Sequence, residues 1–548
     1  MSHPCRTLLD ALAVAAQGQA RITVRGAGGV VAAASDWAAL AGEAADVARR
    51  LLSIGLPAGA RVGLVAETDL GFVRLFLGCQ LAGLIPVPLP LAGAFGDRDA
   101  HADKLARLLA ACDARVAVAP PALVPLLPTA SALVATPADI EALPKASCPL
   151  PDIGEDHVAF LQFSSGSTRF PKGVVVRHRN LMANTRAITK ALQAGRGDVC
   201  VSWLPLYHDM GLVGCLLTAL VAGTDLHLLP TREFIRNPLL WPRLMAETGG
   251  TITYSPAFGY ELAARRGGDA ARALDLGRWR VAGLGGDMIR PDVLARFAEV
   301  FAPAGFRPSA FLGSYGLAEA TLAVSMGRPG TGLAVSDLDL DALERHGRAC
   351  PAGGGRRRAF ARCGVPIPGI QVEVRDAAGQ ALPEGRVGRI HVRGPSVMAG
   401  YYREAAETAR VLSPDGWLDT GDLGALEGGE LLITGRAKDL IIVNGRNVWP
   451  HDLEWAAERV EPLRAGDVAA VGAEGEDGAE QAVLLVQCRT ADPAARARLA
   501  DQVAAATVAA AGVVCKVVLV PPHSLPRTSS GKLARAHARR LLAEGAFR

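Results

Sequence analysis

The chain has 548 residues, half of them apolar and 20% charged, so it can fill large cores and is not a disordered polymer. Lys and Arg number 58 against 54 Asp and Glu, and a net charge of +4 argues against a nucleic-acid binder. At ~150 residues per core, this length holds about three or four core-sized units. The ten cysteines stand singly, without a C-x-x-C pair or a His/Cys cluster at zinc spacing. Scattered thiols fit a reducing compartment. The longest apolar stretch, 210–224, is bracketed by Asp209 and Asp225 and is shorter than the ~18–20 residues of a membrane span. Asp10 interrupts the apolar N-terminal patch, which makes it a poor secretion signal. The expectation is a cytoplasmic globular protein without a transmembrane segment.

In chain order, 37–56 places Leu40, Ala44, Val47 and Leu51 at helical spacing, and 61–65 reads as a buried strand. Residues 70–82 are helical, 85–88 extended, 102–112 helical and 115–119 a strand. The rhythm returns at 158–163, 198–203, 251–254 and 279–284. Such alternation predicts βαβ units, with parallel sheets covered by helices. After Cys363, strands at 372–375 and 389–393 are separated by turn signals and predict a small antiparallel subdomain. Beyond Lys438 comes a short α+β segment: a helix from His451, strands at 468–471 and 483–488, a helix near 494–511 and a strand at 515–520. The boundary is placed so that 1–437 form the large domain and 438–548 a small one.

Five clusters carry chemistry. Ser164-Ser165-Gly166-Ser167-Thr168-Arg169-Phe170-Pro171-Lys172-Gly173 follows an apolar strand. Small residues let consecutive N–H groups and hydroxyls wrap a phosphate, although no Walker ending closes the loop. Trp203-Leu204-Pro205-Leu206-Tyr207-His208-Asp209-Met210-Gly211 sets an imidazole in an apolar run. There it is either a satisfied core histidine or a guide for a carboxylate. Gly313-Ser314-Tyr315-Gly316-Leu317-Ala318-Glu319 offers an aromatic ring and a carboxylate able to hold Mg²⁺ on phosphates. Asp422 and Arg436 suit ribose hydroxyls or phosphate. Leu525-Pro526-Arg527-Thr528-Ser529-Ser530-Gly531-Lys532 places one lysine on a glycine-hinged loop. Alone, each reads first as something ordinary: a surface loop, a core histidine, a surface carboxylate, a turn or a tail lysine.

In this order the five clusters resemble the adenylate-forming superfamily of acyl-CoA synthetases, peptide-synthetase adenylation domains and luciferase, over nearly the whole chain. The resemblance implies an α/β fold. Its large N-terminal domain would have two α/β subdomains with parallel-rich sheets plus a small β subdomain, followed by a small mobile α+β C-terminal domain. It further implies that Ser165, Gly166, Ser167, Thr168 and Lys172 hold ATP phosphates, while Gly286, Asp287, Ser314 and Tyr315 line the nucleotide. Asp422 and Arg436 would bind ribose, and Glu319 would hold Mg²⁺. His208, Glu319 and Lys532 would serve catalysis, with Lys438 as the hinge.

Finer wording is similar to the fatty-acyl-AMP ligases. Arg169 stands where CoA-forming relatives usually have Gly, and Val443-Asn444-Gly445-Arg446-Asn447 reads as that branch does. A long segment, 327–363, lies where the branch has an insertion. Its apolar residues Leu333, Val335, Leu338, Leu340, Leu343 and Phe360 are expected to dock it near the hinge. Departures fall at Leu284-Gly285-Gly286-Asp287-Met288, at Pro256-Ala257-Phe258-Gly259-Tyr260 and at Trp449-Pro450. The resulting expectation is an ATP- and Mg²⁺-dependent enzyme that adenylates a fatty acid and passes the acyl group to the phosphopantetheine thiol of an acyl carrier protein. The alternatives are a fatty acyl-CoA synthetase using free CoA and a non-catalytic lipid or nucleotide binder.

Overall fold

A computed structural model of the protein describes residues 5–91, 98–127, 132–164, 170–443, 446–474, 480–528 and 532–547. Its largest sheet runs in the order Val365–Pro366, Ala323–Met326, Phe311–Gly316, Val281–Leu284, Ile252–Ser255, Val199–Ser202, Asp225–Leu228, Arg21–Arg25, Val31–Asp36. From Phe311–Gly316 to Arg21–Arg25 every neighbouring pair is parallel, and antiparallel strands close both flanks. Strands Ile252–Ser255 and Val281–Leu284 are buried at every residue. That is why they read as apolar runs: helices cover a parallel sheet on both faces. Helix Pro291–Phe301 turns Val293, Leu294, Phe297 and Phe301 inward at helical spacing. There Phe297 meets Tyr260 edge to face, with ring centroids 5.1 Å apart.

A second sheet is wholly parallel, in the order Ile85–Leu89, Arg61–Val65, Ala114–Val118, Leu133–Ala135. Helix Trp37–Leu52 is started by Asp36, whose carboxylate accepts from Ala39 N–H at 2.8 Å. It packs on helix Leu70–Leu81 at Gly78, where a Cβ would lie 2.6 Å from Val47 Cγ1. Only glycine permits that approach. The hairpin Val158–Phe163/Gly173–Arg177 carries the predicted phosphate loop between its strands.

The antiparallel subdomain follows as Gln371–Arg375, Gly388–Arg393, Leu418–Glu427 and Glu430–Arg436. The smaller C-terminal α+β domain has its own sheet, Val468–Glu474, Glu480–Gln487 and Lys516–Val520, against helices Pro450–Ala457 and Pro493–Ala511. Its apolar clusters are drawn from residues beyond Leu440, including Val468, Leu484, Val486 and Val503.

Segment 327–363 folds as an antiparallel pair, Val335–Asp339 with Arg357–Ala361, joined through helix Leu340–His346. Leu338, Leu340, Leu343 and Phe360 are buried together with Leu432 and Trp449, residues on either side of Lys438. Leu333 is partly buried against the main core, whereas Val335 remains 41% exposed and takes no part in docking. The apolar run after Asp209 forms a π-helix, Met210–Leu217, continued by an α-helix, Thr218–Ala222. Among the described residues, no helix is long and apolar enough to cross a membrane.

Candidate active site

Parallel α/β sheets bind ligands beyond the carboxyl ends of their strands, where the following loops gather. Two of the five sequence clusters and two of the departing stretches fall there. His208 follows strand Val199–Ser202, Phe258 follows Ile252–Ser255, Gly286 and Asp287 follow Val281–Leu284, and Ser314, Tyr315 and Glu319 lie at and beyond the end of Phe311–Gly316. These strands are sheet neighbours, so distant stretches of sequence share one cleft.

Strand register places Asp422 opposite Arg436. Their side chains approach to 3.3 Å between Arg436 Nε and Asp422 Oδ1. The Tyr315 hydroxyl donates to Asp422 Oδ2 at 2.7 Å. Burial and the Asp422 charge beside it hold that phenol well above its usual pKa, so it stays a donor. Tyr315 thus fixes the carboxylate while its ring is buried in the strand.

Glu319 accepts from the Tyr401 hydroxyl at 2.8 Å through Oε1. Burial raises the Glu319 pKa, opposed by that hydrogen bond and by Arg436. Lys172 pairs with Glu407, and its ammonium lies 4.9 Å from the centre of the Tyr401 ring. Its backbone N–H donates to Ser164 Oγ at 3.2 Å, and Ser164 N–H donates to the Lys172 carbonyl at 2.9 Å, pinning together the two ends of the predicted phosphate loop. Ser165, Gly166, Ser167 and Thr168 lie outside the described residues.

His208 Nδ1 lies 2.7 Å from Asp209 Oδ1, which also accepts from Met210 N–H at 2.8 Å. Burial acts to raise the Asp209 pKa. His208 and Lys532 outweigh it, and the carboxyl sits below its usual value. Ser314 Oγ is 3.3 Å from the Tyr254 hydroxyl.

Lys532 reaches this cleft from the C-terminal domain. Thr528 and Lys532 close the loop between them: Thr528 N–H donates to the Lys532 carbonyl at 2.8 Å, and Lys532 N–H donates to Thr528 Oγ1 at 3.2 Å. Gly286 has φ +82°, and a Cβ built there would lie 3.9 Å from Lys532 Nζ. Lys532 as a whole is half-buried there. Burial lowers its pKa, Asp287 opposes this most strongly, and Arg436 adds to the lowering. Loss of solvation and the Arg436 charge lower the Lys438 pKa to about 8.

A carboxylate at this mouth, an Asp–Arg pair and a lysine delivered by a second domain form a set that can bind a nucleotide and neutralise charge on a reacting phosphate. Among the described residues, no group of three or more His, Cys, Asp or Glu could hold a metal ion. Mg²⁺ does not require such a cage, since one carboxylate plus substrate phosphates and water suffices. Glu319 fits that use.

The AMP-binding enzyme family matches residues 18–402. A Caulobacter vibrioides protein described as an acyl-CoA synthetase is 49% identical over 99% of this chain and 96% of its own length. A long-chain-fatty-acid–AMP ligase of Mycobacterium marinum is 34% identical over 91% of this chain and 90% of its own. A solved chain from work on fatty acyl-adenylate ligases of E. coli and L. pneumophila is 39% identical with TM-score 0.94, covering 100% of this chain and 99% of that one. A second, an L. pneumophila fatty acyl-adenylate ligase in complex with acyl adenylate and pyrophosphate, is 28% identical with TM-score 0.75 over 98% and 96%. The architecture and cleft are those of an adenylate-forming enzyme. The chain belongs to the AMP-binding enzyme family, in its fatty-acyl-AMP ligase branch.

Sequence reasoning did not single out Tyr401, which donates to Glu319, or Asp209, which lies beside His208. Tyr401 sits in Gly400-Tyr401-Tyr402-Arg403, which shows no chemical pattern by itself. Asp209 was in view beside His208, and an adjacent imidazole–carboxylate pair was the available signal.

Proposed function

We propose that this protein uses ATP to convert a fatty acid to its acyl-adenylate, releasing pyrophosphate, and then passes the acyl group to the phosphopantetheine thiol of an acyl carrier protein. In the first half-reaction a carboxylate oxygen attacks the α-phosphorus. The bond from that phosphorus to the bridging oxygen breaks, and pyrophosphate leaves with the electron pair. In the second, the thiol sulfur attacks the acyl carbon, AMP departs, and the thiol proton is released. Positioning and charge neutralisation dominate such chemistry.

The residues divide the work accordingly. Asp422, held by Tyr315 and paired with Arg436, suits the ribose hydroxyls. The loop closed by Ser164 and Lys172 suits the β- and γ-phosphates, and Lys532 neutralises charge shared by the reacting carboxylate and α-phosphate. Mg²⁺ held by Glu319 would supply further charge neutralisation on the phosphates. Asp209 orients the His208 ring beside the incoming carboxylate. Residue Lys438 is the hinge about which the unit 438–548 turns between half-reactions.

The observation that carries this reading is the position of Lys532, brought over Gly286 into the cleft of Asp287, Asp209, Asp422 and Arg436. A binding protein has no use for a cation delivered by a second domain. Docking of segment 327–363 on both Leu432 and Trp449 supports a carrier acceptor over free CoA, because it restrains the rotation that transfer requires and a carrier's protein–protein contacts add binding energy that free CoA lacks. The acyl-CoA synthetase description of the 49% identical relative favours the second reading, free CoA as acceptor. The deciding experiment incubates the enzyme with ATP, Mg²⁺ and a panel of fatty acids, with and without CoA or a carrier protein. Pyrophosphate and thioester are measured separately.

A further inference from the structure

Two guanidiniums from the large domain meet at one indole of the C-terminal domain. Trp455 lies on helix Pro450–Ala457. The Arg290 guanidinium lies 5.3 Å from its ring centre and that of Arg358 lies 4.7 Å away. Arg290 precedes helix Pro291–Phe301, three residues beyond the Asp287 whose charge Lys532 senses. Arg358 belongs to strand Arg357–Ala361 of segment 327–363, where it also stacks 4.3 Å from the Phe360 ring centre.

Each arginine is further tied to the same helical region. Arg290 Nη1 is 3.1 Å from Glu458 Oε2. Arg358 Nη1 is 2.6 Å from Asp452 Oδ1, with side-chain exposures of 6% and 9%. A buried ion pair of this kind adds little net stability, but it is tolerated only while both charges stay together, which makes it a good marker of one arrangement. Trp455, Asp452 and Glu458 would all leave their partners if the domain turned, so every one of these contacts belongs to the arrangement that puts Lys532 over Gly286.

We infer that Trp455 is a positioning residue for adenylation: with Arg290 and Arg358 it latches the C-terminal domain in the orientation that inserts Lys532. Among the described residues its ring lies against Arg290, Arg358 and His451, so its effect on adenylation runs through the placement of the lysine. The latch rests on the rotation reading above and adds to it the part that holds the first half-reaction's geometry. It also gives segment 327–363 a second use, since Arg358 is supplied by that segment.

The test compares Trp455→Ala and Trp455→Phe with the parent in ATP-dependent pyrophosphate release using dodecanoate. AMP affinity is measured by calorimetry, and hydrogen exchange is followed over the helix carrying Trp455. Losing both cation–π contacts should lower kcat by about fivefold to tenfold, with KM for ATP and AMP affinity within about twofold. Exchange in Pro450–Ala457 should accelerate, and Trp455→Phe should recover most of the rate. A merely structural role would reduce AMP affinity and kcat together. That pattern, an unchanged kcat in Trp455→Ala, or a Phe variant no better than Ala, overturns the inference. Lys532→Ala in the same assay separates the two readings. If it loses pyrophosphate release while Trp455→Ala does not, only the latch falls; if it too is fully active, the role of Lys532 falls first.

Discussion

Lys532→Ala removes the ammonium that lies 3.9 Å from a Cβ position on Gly286, facing Asp287, Asp209 and Asp422. The charge it meets in the cleft grows as the carboxylate attacks and pyrophosphate separates. Its contact is therefore strongest in the transition state, and its loss appears in kcat. One preorganised donor of this kind is worth about 3–4 kcal/mol, so kcat should fall by about 10²–10³. Because the parent lysine gives up solvation to sit there, its removal should leave the melting temperature within about 2 °C. The pH profile supplies a second reading. Burial lowers the Lys532 pKa, so adenylation that needs the charged form should decline at a lower pH than an ordinary lysine allows. Pyrophosphate release from ATP and dodecanoate is the assay, with calorimetric AMP binding as control. Release at near-parent rate would refute the assignment, as would loss of AMP binding in parallel with rate.

Other substitutions probe separate parts. Lys438→Pro fixes φ near −65° and should slow thioester formation more than pyrophosphate release; equal losses would contradict a hinge there. Glu319→Gln keeps the Tyr401 contact but loses the charge, and should raise the half-saturating Mg²⁺ concentration at least about tenfold in pyrophosphate release. An unchanged Mg²⁺ dependence would remove Glu319 from that role. His178 is 1% exposed, accepts from Leu8 N–H at 3.2 Å, and has its pKa lowered to about 4, chiefly by burial. The unfolded chain binds the proton more tightly, so stability is full above the ordinary pKa of 6.5 and is lost as pH falls toward 4. His178→Gln should abolish up to about 3 kcal/mol of that acid sensitivity, read from denaturant unfolding at pH 7 and 4.5.

The site was legible where function is local. The predicted strands 158–163 and 198–203 placed the start of the phosphate loop and the His208 stretch, whereas Glu319, Asp422 and Arg436 were assigned only through the family resemblance. Contacts between remote residues were not legible: Tyr401 reaches Glu319, and Arg290 reaches Trp455, only after the domains pack. The strand Arg21–Arg25 was missed because its alternating charged ends resemble a surface loop, yet it pairs in parallel with Asp225–Leu228 inside the main sheet. The apolar run Met210–Leu217 has no polar face to set a period, so its π-helical winding left no trace in the sequence. Segment 327–363 was legible as a docked element, but the Arg358–Asp452 pair within its contact depends on tertiary placement.

The central claim is adenylation of a fatty acid for a carrier rather than for free CoA. Enzyme, ATP, Mg²⁺ and a medium- or long-chain acid, incubated with CoA, test it in one measurement that follows pyrophosphate and acyl-CoA together. Pyrophosphate and bound acyl-adenylate with little or no acyl-CoA is the predicted result. Acyl-CoA formed as fast as pyrophosphate appears would contradict it.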